Sequence, residues 1–212
     1  SGDFTNSGTF ANSTSTITFD GNTSNTIDSG CSDVSSCTNQ DFYNFILNKT
    51  GGDSDDNVVL ANNHLKVANK ITITDGELIQ GAYDVQAEGD PAIEISSSGK
   101  WTNISTGGLV LGGEFANAGT AVFQGNGEVC GDSDSINISS TSSSQRDWTG
   151  IGDFFINDVT VSWQGGTSDI DAYSSTDSGN NGSNWNILLQ CTLGGETQFK
   201  FDGINIEKLN IN

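Results

Sequence analysis

The sequence predicts an all-β chain wound as a parallel β-solenoid. Three observations carry that expectation: short runs of alternating apolar residues, the absence of helical periodicity, and self-similarity along the chain. The alternation is seen at residues 16–19, 65–67, 71–73, 93–95, 159–161, 199–201, 204–206 and 209–211, and Gly, Asn, Asp or Ser separates one run from the next. No stretch holds apolar residues at i, i+3, i+4 and i+7 through successive turns, so almost no helix is expected. Between Leu65 and Phe123 the runs follow one another too closely for long hairpins, but they suit coils whose strands pair with the coil above and the coil below.

The self-similarity is specific. Gly2-Asp3-Phe4-Thr5-Asn6-Ser7-Gly8-Thr9 matches Gly113-Glu114-Phe115-Ala116-Asn117-Ala118-Gly119-Thr120, and Thr16-Ile17-Thr18-Phe19 matches Thr120-Ala121-Val122-Phe123. Asp41-Phe42-Tyr43-Asn44-Phe45-Ile46 answers, with a one-residue shift, to Asp153-Phe154-Phe155-Ile156-Asn157-Asp158-Val159. A single elongated β domain over 1–212 is therefore expected, with internal copies at approximately 1–111 and 112–212. The alternative is an antiparallel β-sandwich, in which 199–201 and 204–206 form a hairpin around Asp202-Gly203.

Composition fits a thin core. Of 212 residues only 33% are apolar, 27 are Gly, one is Pro and none is Met. Low hydrophobicity with high charge is also the signature of disorder, but the period-two runs argue for strands. Seven Lys and Arg face 27 Asp and Glu, for a net charge of −20, which excludes nucleic acid as an expected partner. No apolar run approaches the length of a membrane span, so membrane insertion is not expected either.

GDFTNSGTF, STITFDGN, DFYNFILNKTGG and VVLANNHLKVANKITITDGELI together resemble the repeat units of very large secreted and cell-surface proteins of bacteria and archaea. The resemblance covers 1 to about 79 well and 112 to about 163 more weakly, and residues 176–186 are similar to a segment that closes such units. It implies a β-solenoid in an adhesin-like, surface-layer-like or sheath-like protein, and it brings no catalytic residues.

Cys31, Cys37, Cys130 and Cys191 are even in number and lack a Cys-x-x-Cys spacing, and the one histidine, His64, cannot complete an ordinary zinc site. Disulfides are expected: Cys31 with Cys37 around the polar loop 32–36, and Cys130 with Cys191 or with a neighbouring subunit. That places the protein outside the cell. Sequons begin at Asn12, Asn22, Asn48, Asn103, Asn137 and Asn181, a number expected by chance in so Asn-, Ser- and Thr-rich a chain; they permit glycosylation without arguing for it.

Acidic residues spaced i, i+2 put two carboxylates on one side of an extended chain, as a Ca2+ site needs. The candidates are Asp53, Asp55 and Asp56, then Asp132 with Asp134, then Asp169 with Asp171; the competing reading is a solvated acidic loop, and none is a full calcium-loop motif. An enzyme is not expected. A polysaccharide lyase needs a base and cations that one His, one Arg and six scattered Lys do not supply, although a β-helix acting on polysaccharide stays as a remote alternative. Trp101, Trp148, Trp163 and Trp185 read as core or corner residues before a sugar-stacking face.

The expected function is a non-catalytic extracellular structural protein that self-assembles into a surface layer, sheath or fibre. The alternative is an adhesin module for surface glycans or another cell. The edges expected to join copies hold Phe4 and Phe10 at one end and Ile204, Ile206, Leu209 and Ile211 at the other. Ca2+ is the one candidate cofactor.

Overall fold

The computed structural model describes residues 2–10, 13–37, 41–51, 56–126 and 134–188, together with the backbone of 190–193, 196–201 and 204–205. Cys130, Asp53, Asp55, Asp132, Asn12, Ile206, Leu209 and Ile211 lie outside these residues.

The described residues form a parallel β-solenoid without helix. Nineteen strands make one continuous sheet that winds over three faces, and every pairing within it is parallel. Strands are numbered in chain order, and each coil visits the faces in turn.

Face one is built from the start of β6 (Leu65–Ile79), then β7 (Val85–Ala87), β9 (Leu109–Leu111), β12 (Ile136–Ser140), β15 (Val159–Val161) and β18 (Thr176–Asp177). Face two takes β2 (Thr16–Gly21), β4 (Phe42–Lys49), the middle of β6, the start of β8 (Ile93–Asn103), β10 (Phe115–Asn117), β13 (Arg146–Thr149) and β16 (Gln164–Gly166). Face three holds β1 (Phe4–Thr5), β3 (Asn25–Asp28), β5 (Asn57–Leu60), the ends of β6 and β8, then β11 (Thr120–Gln124), β14 (Asp153–Asn157), β17 (Ile170–Tyr173) and β19 (Trp185–Leu188).

Parallel pairing in register stacks like positions into columns, and period two sends every other column inward. On face two the inward column reads Ile17, Phe45, Ile71, Ile93, Phe115, Trp148. On face one it reads Leu65, Val85, Leu109, Ile138, with Ile136 over Val159 in the neighbouring column. Face three contributes Val58, Leu78, Trp101 and Ala121. The small Ala121 leaves room at the axis where Trp101, Phe115, Phe123 and Trp148 meet; the Phe115 and Trp148 rings stack with centroids 4.2 Å apart. A chain with few apolar residues can therefore fill this interior, because the core is only one side chain deep from each face.

Corners are made by polar side chains. Asn117 accepts the N–H of Gly119 at 2.9 Å and donates to the Asp153 carbonyl in the next coil at 3.0 Å; Asn6 does the same with Gly8 and Ser29. The two matched Phe-x-Asn-x-Gly segments thus share a corner device. They do not share a face: Phe4 pairs on face three and Phe115 on face two, while 16–19 lie on face two and 120–123 on face three.

The last three described strands depart from the coil pattern. β20 (Gln190–Leu193), β21 (Glu196–Phe201) and β22 (Ile204–Asn205) pair antiparallel, with Phe201 opposite Ile204. The pairing of β21 with β22 is thus antiparallel, as the sandwich alternative expected of 199–201 and 204–206, and not that of successive coils. Ile204 is consequently not part of a terminal coil as expected, and Cys191 sits on β20 opposite Gln198.

Candidate functional site

The most unusual chemistry in the described interior lies at the corner between faces two and three. Alternation along β4 directs Phe45, Leu47 and then Lys49 inward, so a cation ends a row of core residues. Lys49 is only 1% exposed, and its ammonium reaches across to the previous coil. There it donates to the Asp20 carbonyl at 3.1 Å, to the Thr23 carbonyl at 2.7 Å and to Oδ1 of Asn25. Asn25 is itself buried, at 5% exposed.

Asp56, likewise 5% exposed, closes the cluster from the Lys49 side. Its carboxyl packs against Gly51, two residues beyond Lys49, and its Oδ1 has no hydrogen-bond partner among the described residues. The next coil makes room for both residues with Gly76, which takes a φ of +88° at the bend in β6. A Cβ at position 76 would collide with the Asp56 carbonyl and with Cβ of Lys49, so only glycine fits there on both backbone and steric grounds. Loss of hydration pulls the Lys49 amine below the ordinary lysine value, against the charges of Asp56 and Asp20, which hold it up.

Asp56 is therefore turned into the corner beside Lys49 and does not lie on an exposed loop as the sequence suggested, while its candidate companions Asp53 and Asp55 lie outside the described residues. Among the described residues no three His, Cys, Asp or Glu side chains converge on a point. Asp169 and Asp171 are both exposed, and Asp171 accepts a bond from Asn186 at 3.0 Å. Asp134 is half-buried.

The Cys31–Cys37 disulfide is formed, with Cα atoms 5.5 Å apart, and both cysteines are buried. His64 pins the loop: its N–H donates to the Cys31 carbonyl at 2.9 Å, and its Nδ1 accepts the Asp84 N–H at 2.8 Å. Within the loop Asp33 accepts both the N–H and the hydroxyl of Ser35, bonds that hold its carboxyl below the usual aspartate range.

The sequons divide. Asn22 and Asn137 are exposed and Asn48 is half-buried. Asn103 is fully buried, accepting from Ser105 and donating to Gly107, so it cannot carry a glycan without dismantling its corner. Asn181 spends its amide on Val161, Asp177 and Gln164.

At the N-terminal end Phe4 and Phe10 turn inward and pack edge-on against Phe42, with centroids 5.1 and 5.7 Å away. Among the described residues β1 pairs with β3 and β2 pairs with β4, and no other strand partner is seen for either. Trp101 and Trp148 are core residues whose indole N–H groups reach the buried Gln80 and Gln164, and Trp185 is also buried. Outward-facing aromatics occur elsewhere, at Phe155 and Tyr173 on face three, 57% and 45% exposed, with Leu188 beside Tyr173.

No family model, curated protein or solved structure matches the chain. Neither the acidic clusters nor the cysteines of the sequence point to the lysine corner. Its signal was present in the period-two register of Phe45, Leu47 and Lys49.

Proposed function

We propose that this chain is a non-catalytic structural element of the extracellular surface, and that copies add end to end into a fibre, sheath or layer. The observation that carries the reading is the parallel three-faced stack itself. Such a stack is self-complementary, because an end strand offers the same row of N–H and C=O groups that interior strands satisfy with their neighbours. Joining one end to the other by a rotation that does not close gives a polymer. The acidic charge of −20 then keeps finished polymers apart, and the disulfide agrees with an oxidising location.

The test lies on β2. Parallel pairing with β4 uses the Ser15 carbonyl and the groups of Ile17 and Phe19, so the N–H of Thr18 points to the outer edge. Thr18→Pro removes that donor and leaves the ladder to β4 intact. Light scattering should show the unmodified chain growing with concentration and Thr18→Pro remaining monomeric with an unchanged circular dichroism spectrum. Equal growth of both would reject edge addition.

The adhesin reading rests on Phe155 and Tyr173, which offer aromatic faces of the kind sugars stack on. Glycan binding that disappears in Phe155→Ala with Tyr173→Ala would favour it.

A further inference from the structure

We propose that Lys49 and Asn25 join through an intramolecular isopeptide bond, formed without an added enzyme and promoted by Asp56, which staples two successive coils of the solenoid. The three groups that such a reaction requires, an amine, a carboxamide and a carboxylic acid, are enclosed together at one corner and are 1%, 5% and 5% exposed.

The amine is in place. Lys49 Nζ is in hydrogen-bond contact with Asn25 Oδ1, one bond away from the amide carbon, Cγ, that it would attack, and such pre-positioning is what an intramolecular reaction needs. The Asp20 and Thr23 carbonyls fix it from the other side and leave it little freedom to swing away. Burial favours the uncharged amine, the nucleophilic form. The acid lies at the same corner: Asp56 is 5% exposed, its Oδ1 engages no described residue, and a proton passed to it from the Lys49 ammonium would free the amine to attack and leave the acid able to donate.

The step balances without a co-reactant. The Nζ lone pair attacks Cγ of Asn25, a C–N bond forms, and the carbonyl π electrons move onto Oδ1, which Asp56 stabilises by donating its proton. Asp56 then takes the proton that Nζ sheds, Oδ1 re-forms the carbonyl, and the Cγ–Nδ2 bond breaks. Nδ2 leaves as ammonia after receiving a proton through the Asp56 carboxyl. The products are a secondary amide, one ammonia and Asp56 in its starting state; nothing is oxidised or reduced. Lys49 and Asn25 are 24 residues apart, and Asn25 lies on β3, one coil before the β5 strand that follows Lys49. The bond therefore closes a full coil, and it would limit unravelling from that end as a disulfide does.

The mass of the full-length unmodified chain, measured after reduction of disulfides, decides the matter. It should be lower than the sequence mass by one ammonia. Proteolytic cleavage before Asp28, Asp33 and Asp41 separates Asn25 from Lys49 along the chain, so the two segments should be recovered as one branched peptide. A succinimide at an asparagine also loses ammonia but gives no branched peptide. Lys49→Met and Asp56→Asn should each restore the full sequence mass, the latter with a β-type circular dichroism spectrum. An unmodified chain at its full sequence mass overturns the proposal whether or not the variants fold, and an Asp56→Asn chain that cross-links as completely as the unmodified one overturns the role given to Asp56.

Discussion

Lys49 shows how a single residue can conflict with its surroundings and yet belong there. Its stem continues the apolar column of β4, while its ammonium replaces water with two carbonyls and an amide oxygen. A lysine whose folded value is lowered disfavours folding below that value. The penalty fades as pH rises from the folded value to the unfolded one, because the unfolded chain still holds a proton that the folded chain has shed. In Asp56→Asn, where the amine stays unreacted and one of its two supporting charges is gone, Asp20 being the other, the melting temperature should climb as pH approaches 10.5. Adding Lys49→Met should abolish the climb, and its persistence would show that another group titrates. Asp33 has the opposite sign. Its lowered carboxyl contributes stability that is present above the ordinary aspartate value and is lost as pH falls through the folded value.

At the scale of the strand and corner, face two is held by its aromatic centre. Phe115 is fully buried, stacked on Trp148 and in contact with Trp101 and Phe123. Phe115→Ala should cost about 3–5 kcal/mol in chemical denaturation, as large truncations in packed cores do. Asn117→Ala removes no apolar contact, but it leaves the Gly119 N–H and the Asp153 carbonyl without their partner; a loss of about 1–3 kcal/mol is expected. A change under about 0.5 kcal/mol in either variant would mean that the corner or column relaxes around it.

Strand existence was legible from period two alone, since Leu65-Lys66-Val67, Ile71-Thr72-Ile73 and Ile93-Glu94-Ile95 each alternate inward and outward as read. The assignment of strands to faces was not legible. Sequence similarity between residues 2–9 and 113–120 reports a shared asparagine corner, and the corner tolerates coils of different length: side-chain bonds between neighbouring coils join residues 15 apart at Asn186 and 36 apart at Asn117. The burial of Asn103 was not legible because its amide is engaged by the backbone of Ser105 and Gly107 at a corner that no local pattern announces, and that of Asp56 because it depends on Lys49 and Gly51 folding back beside it.

Taken as a whole molecule, the stack is secured outside as well as inside. On each face a lysine meets a glutamate of the adjoining coil: Lys66 with Glu88 at 3.1 Å, Lys70 with Glu94 at 2.8 Å, Lys100 with Glu77 at 2.9 Å. Exposed pairs of this kind contribute at most about 1 kcal/mol each, so their role is to favour the observed register over slipped ones in a chain with little positive charge. The coil spacing runs along the long axis, and a polymer built by adding ends continues it without a break. X-ray diffraction from aligned fibres of the unmodified chain tests this most directly. Stacking end to end predicts a strong reflection at about 4.8 Å parallel to the fibre axis. Fibres with that reflection perpendicular to the axis, or a chain that remains monomeric at every concentration and yields no fibres to align, would contradict it.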